Sequence, residues 1–292
     1  MKNGISKSPP FFHSLPSESS IKSNSRIGVY YYIPKSTAKY TYWKDGFTGA
    51  LQILSTKMRI DFINAAQSED WKVLKKYDAI LVKSNWDWIV DQRIQRWQHF
   101  IRSPLFLVLS GSLPPYSNKS VQTYQHIFYE TSWYEKWAAH FPSTSRAFGV
   151  HTDIYRPGTR ALRWDVLGIG ALQPYKRWER LANQPGRKLV VGEVNTPRGK
   201  DIKTQLERAG VEVMGYQTPE DLRKIILSSA QVYIPAELQG GGERAVMEAR
   251  ACGVPVKVEA DNPKLLALSQ EPVLSHSDYA KALNDQIKAY TQ

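Results

Sequence analysis

The chain has 292 residues, a single cysteine and a formal net charge of +12, and its 42% apolar content is enough for one or two substantial cores. One cysteine, Cys252, excludes an intramolecular disulfide framework and packs at helical spacing among apolar neighbours. No apolar run approaches the roughly 20 residues that span a bilayer, so the expected location is the cytoplasm.

Residues 1–26 are rich in Ser, Pro and Lys without an apolar core, and read as a disordered tail, not a signal peptide. Residues 27–150 form the first expected domain. Arg26 to Ile33 is a β-rich run closed by Pro34, and an aromatic loop leads to Asp45-Gly46 and a helical pattern from Phe47 to Met58. Strands follow at Ile60–Ile63 and Tyr77–Val82, then a helix with one apolar face from Ile89 to Ile101. Two more strands, Leu105–Leu109 and His126–Tyr129, end at Ser110 and Glu130. Strand–helix alternation of this kind predicts a doubly wound parallel sheet.

Residues 151–162, with Pro157-Gly158, read as a linker, and 163–292 as a second domain. Its strands are expected at Trp164–Gly168, Leu189–Val191, Val211–Met214, Val232–Ile234 and Val256–Val258. Helices are expected up to about Asn183, near 202–209, 219–227 and 243–252, from Asp261 onward, and at 279–290.

The densest signal runs from Ala230 to Val258. A short apolar strand ends at Pro235, three glycines (Gly240, Gly241, Gly242) follow, and a helix begins at Glu243. A glycine turn that opens a helix presents free N–H groups and the positive end of the helix dipole, a setting suited to phosphate. An ordinary βα turn with solvated glutamates has the same spacing. Resemblance separates the two. The run from Pro235 through Gly240, Gly242, Glu248 and Ala251-Cys252-Gly253-Val254-Pro255 resembles the donor-site signature of the retaining, nucleotide-sugar-dependent glycosyltransferases with the GT-B fold.

That resemblance implies two Rossmann-like doubly wound parallel-sheet domains facing a cleft, with the donor held mainly by the second. It implies a glycine loop on the donor diphosphate and a ribose contact from Glu248. The family's first glutamate, which contacts the donor sugar, lies eight positions earlier, where this chain has Gly240; Glu237, Gln239 or Glu243 are the nearby substitutes. Lys176 matches the family's phosphate-binding lysine. The family's preceding arginine is replaced around Ala171, leaving Arg177 or Arg244 to supply a second charge.

Asp45 and Glu130 close first-domain strands or loops at the ligand-binding edge of such a sheet and, with Glu243, are the candidate catalytic carboxylates. For Asp45 the alternative is a helix-start residue favourable to the dipole. No Asp-x-Asp pair and no Cys/His cluster is present, so the reading is metal-independent, with no cofactor beyond a nucleotide-diphosphate sugar as co-substrate. No Gly-x-Gly-x-x-Gly fingerprint opens the first domain, which disfavours a nicotinamide dehydrogenase.

Charge is uneven: residues 27–162 carry seventeen basic and ten acidic side chains, residues 163–292 eighteen and sixteen. The surplus fits an anionic partner or acceptor on the first domain, nucleic acid or an anionic lipid or glycan; a plainly solvated basic surface fits it too. Tyr40, Tyr42, Trp43, Trp86, Trp88 and Trp133 suit stacking on sugars or bases. Two other functions share the pattern: a sugar-nucleotide epimerase of the same fold, and a non-catalytic binding protein that retains the donor fold.

Overall fold

The computed structural model describes residues 25–32, 45–83, 89–109 and 122–291. Residues 1–24 of the expected tail and the aromatic residues Tyr40, Tyr42, Trp43, Trp86 and Trp88 lie outside the described residues, whereas Arg26 opens the first strand. The chain divides into two units: one holds the chain up to Glu130, Tyr134–Gly149 and the segment from His276, and the other holds Thr131–Trp133 and Val150–Ser275.

The first unit is built on a parallel six-stranded sheet of order β2-β1-β3-β4-β5-β6. Its strands are β1 (Arg26–Tyr31), β2 (Arg59–Asn64), β3 (Ala79–Lys83), β4 (Leu105–Val108), β5 (His126–Tyr129) and β6 (Thr144–Arg146). Ile27 aligns with Ile60 on one side and Ala79 on the other. Residues 27–30 and all of β3 and β4 are buried, because helices cover both faces; hence the continuous apolar runs in place of alternation. The helices are α1 (Gly46–Ser55), α2 (Ile89–Trp97), the short α3 (Glu135–Ala138) and α9 (His276–Thr291).

The last of these was expected in the second domain. Its stripe of Tyr279, Ala280, Leu283 and Ile287 instead joins the first core with Phe47, Leu51 and Leu54 of α1, and the Phe47 and Tyr279 rings lie 5.8 Å apart. Spacing along the chain announces an apolar stripe but not which sheet it covers.

The second unit carries a parallel five-stranded sheet of order β11-β10-β7-β8-β9. The strands are β7 (Trp164–Ile169), β8 (Lys188–Val191), β9 (Val211–Met214), β10 (Ser229–Ile234) and β11 (Val256–Val258). The helices are α4 (Trp178–Ala182), α5 (Pro197–Arg208), α6 (Pro219–Leu227), α7 (Glu243–Ala251) and α8 (Pro263–Gln270). Thr196, Thr218 and Asn262 each cap a helix through the side chain, and each is followed by proline at the first helical position. The expected linker at 151–162 is part of this unit, with Tyr155 fully buried.

Strand order locates the ligand-binding edges. In the first sheet the chain leaves β1 for β2, then crosses back to β3; in the second it runs β7-β8-β9, then crosses back to β10. Each reversal opens a crevice at the carboxyl ends of two adjacent strands, β1/β3 and β7/β10.

Candidate functional site

The β7/β10 crevice collects most of the residues singled out by the sequence. After β10 the chain is tied to the turn after β7: the Glu237 N–H donates to the Tyr175 carbonyl at 2.9 Å, and the Gly240 N–H to the Glu237 carbonyl at 2.7 Å. Asn262 Nδ2 donates to the carbonyls of Ala236 and Glu237, while its Oδ1 caps α8. This close approach explains Gly240. A Cβ there would lie 2.7 Å from the Tyr175 carbonyl oxygen and 3.0 Å from the Ala236 Cβ, so the glutamate of the resembled motif has no room. Gly242 has φ 120° and precedes α7 with no side-chain cap, and the Glu243 carboxylate takes a backbone N–H at that helix start.

Three buried charges sit beside that helix start. Lys264 is fully buried and ion-paired with Glu243, itself 5% exposed. Lys176 is 8% exposed, and its side-chain end lies against Gly170 after β7. Among the described residues no hydrogen bond or ion pair holds the Lys176 ammonium. Burial lowers its pKa from 10.5 to about 8; Glu243 opposes that shift and Lys264 adds to it. Glu243 is held below the usual carboxylate range despite burial, because Lys264 and then Lys176 stabilise its charge. Among the described residues two buried lysines thus stand beside the Glu243 carboxylate, and of these three groups two are cationic.

The arginines divide. Arg177, at φ 51°, donates to the carbonyls of Pro235 (2.6 Å) and Ala236 (3.0 Å) and makes a two-pronged pair with Asp261 at 2.6 and 2.8 Å. Its guanidinium is committed to holding the loop after β10, not open to a phosphate as expected; Lys264 is the second buried cation. Arg244 is half-exposed and pairs with Glu248 one turn along α7, at 3.2 Å. Glu248 is 4% exposed and faces Tyr155, whose hydroxyl is pushed far up, by burial first and by the Glu248 charge next. Glu237 is exposed and contributes only its backbone to the contacts above.

In the first unit, Asp45 is the N-cap of α1. Its Oδ1 accepts the Thr48 N–H and hydroxyl, both at 2.8 Å, and the Thr48 hydroxyl accepts the Asp45 N–H. This is the helix-start alternative. Glu130 follows β5 and is buried. Both carboxylates help raise the Tyr279 hydroxyl well above its ordinary pKa, burial being the main cause, so the structure brings them around one buried ring. Lys83 ends β3 with its ammonium 4.0 Å from the centre of the Phe47 ring.

Sequence reading missed Lys264, Lys83, Tyr155 and Tyr279. A lysine closing an apolar strand, as in Ala79–Lys83, was the available signal for Lys83. Lys264 was masked by its Asn-Pro helix start, which makes a lysine look solvated.

No family model matches the chain, and no curated protein matches it. Solved structures do. Sucrose-phosphate synthase from Thermosynechococcus elongatus aligns over 92% of this chain and 90% of its own, at 12% identity and a TM-score of 0.61. HepE of Anabaena, solved with UDP and glucose, aligns over 90% and 92% at 12% identity and a TM-score of 0.58. AviGT4, a glycosyltransferase involved in avilamycin A biosynthesis, aligns over 91% and 98% at 13% identity and a TM-score of 0.55. With its two parallel sheets and their crossovers, the chain has the fold of these proteins, the GT-B fold.

Proposed function

We propose that the protein is a glycosyltransferase that moves a sugar from a nucleotide-diphosphate sugar to an acceptor, with retention and without a metal. The observation that carries this reading is the buried, unpartnered Lys176 ammonium beside the start of α7 at the β7/β10 crevice. A diphosphate supplies negative charge there. Glu248 accepts from the ribose hydroxyls; Arg244, Gly241 and Gly242 border the phosphates. Glu243 keeps the two lysines charged, and Arg177 holds the loop. HepE was solved with UDP-glucose, which supports a nucleotide sugar as the ligand class.

In the reaction the bond from the anomeric carbon to the phosphate oxygen breaks, and its electron pair leaves with the diphosphate. The acceptor hydroxyl bonds the same face of that carbon, and its proton passes to the departing phosphate oxygen. Charge grows on the diphosphate as the bond breaks, so Lys176 and the α7 N–H groups bind the transition state more strongly than the substrate. The acceptor belongs to the first unit, where Glu130 and Asp45 stand at the carboxyl edge.

A second reading, a binding protein without turnover, is favoured by Gly240, because the glutamate that would touch the donor sugar cannot be built there. The deciding experiment incubates the protein with a panel of nucleotide sugars and acceptors in EDTA. Nucleotide release that needs an acceptor supports transfer. Binding with no release supports the second reading; donor epimerisation or strict Mg²⁺ dependence overturns the first.

A further inference from the structure

The first unit has a second charged surface, at the edge opposite Lys83 and Glu130. Asp70 caps a single 3₁₀ turn, Trp71–Leu74, and β3 begins five residues later. After α2, the Phe100 N–H donates to the Trp97 carbonyl at 2.8 Å, and β4 begins at Leu105. These two segments meet: the rings of Trp71 and Phe100 stack 5.0 Å apart with planes 23° from parallel. Phe100 is nonetheless 54% exposed. The Lys75 ammonium lies 4.2 Å from the Trp71 ring centre.

Residues 69–78 and 92–104 contain six basic side chains and three acidic ones, Glu69, Asp70 and Asp78. Arg93 is taken by Glu69; Lys72, Lys75, Lys76, Arg96 and Arg102 are exposed. An exposed hydrocarbon ring in segments that also expose ammonium and guanidinium groups is matched to an anionic headgroup layer, where the ring enters the acyl boundary and the cations meet phosphates.

We propose that this face docks the protein on an anionic phospholipid surface, through Phe100 and the lysines around Trp71. Nucleic acid fits less well, since the exposed ring of these segments, Phe100, already has one face stacked on Trp71 and gives successive bases no run of platforms. Docking through the amino-terminal ends of β3 and β4 leaves the carboxyl edge of the same sheet free for an acceptor.

The test is sedimentation of the full chain with vesicles of phosphatidylcholine alone or mixed with phosphatidylglycerol, across a salt series, with duplex DNA as a parallel arm. The expected result is binding to the mixed vesicles only, weakening with salt. Lysines at such a surface contribute about fivefold each, so Lys72→Ala/Lys75→Ala/Lys76→Ala together should weaken vesicle binding about 100-fold. Phe100→Ser, which leaves the charge untouched, should weaken it about tenfold. Both variants should keep the wild-type circular dichroism and nucleotide affinity, which separates this proposal from the donor site. No vesicle binding at low salt, wild-type binding by the triple variant, or tighter retention on DNA than on mixed vesicles overturns it.

Discussion

Replacing Lys176 by methionine should make the protein more stable and functionless at once. In the folded chain the ammonium titrates near pH 8, against 10.5 for a free lysine. Below pH 8 both states are protonated, and the folded state carries the full cost of the buried charge. Between pH 8 and 10.5 the unfolded chain holds a proton the folded one has lost, so unfolding takes up a proton and stability rises with pH. A displacement of that size corresponds to roughly 3 kcal/mol. Lys176→Met removes the cost and leaves Glu243 and Lys264 as a balanced pair, so at pH 7 the variant should gain up to about 3 kcal/mol. Urea unfolding at pH 7, 8, 9 and 10 measures this: the wild type should rise with pH, and the difference between the two proteins should shrink. With a nucleotide diphosphate at 100 times its Kd the wild type should gain about 2.7 kcal/mol and the variant nothing. A variant less stable than wild type at pH 7, or one still stabilised by the nucleotide, would refute the account of Lys176 as an anion-seeking buried cation.

Glu248→Ala should weaken donor binding by roughly 1.5–3 kcal/mol, the worth of hydrogen bonds to a charged group, with little change in unfolding; calorimetric titration checks it. Gly240→Ala forces a Cβ onto the Tyr175 carbonyl and should cost about 1–3 kcal/mol of stability in denaturant unfolding, as overpacking does, with loss of donor affinity. Arg177→Lys keeps the charge but not the fork that grips Pro235, Ala236 and Asp261; nucleotide affinity should fall, and amide exchange in residues 235–242 should quicken.

Much of the fold is legible in the chain itself. Apolar runs such as Ala79–Val82 and Val232–Ile234, the second closed by Pro235, announce strands buried on both faces, and their alternation with helices dictates a parallel sheet. Gly240 to Glu248 announces a ligand loop opening a helix, because glycine's freedom and the helix dipole are local properties. Charge balance is not local. Only the fold puts Lys264 and Glu243 into one buried pair beside Lys176, and turns three solvated-looking residues into a buried group of which two are cationic. The same holds for Arg177, whose guanidinium is taken by residues 58 to 84 positions away, and for α9, which packs on α1 at the other end of the chain. Backbone preference is set by neighbours in sequence. Desolvation, ion pairing and the choice of packing partner depend on which distant groups the fold brings within a few ångströms.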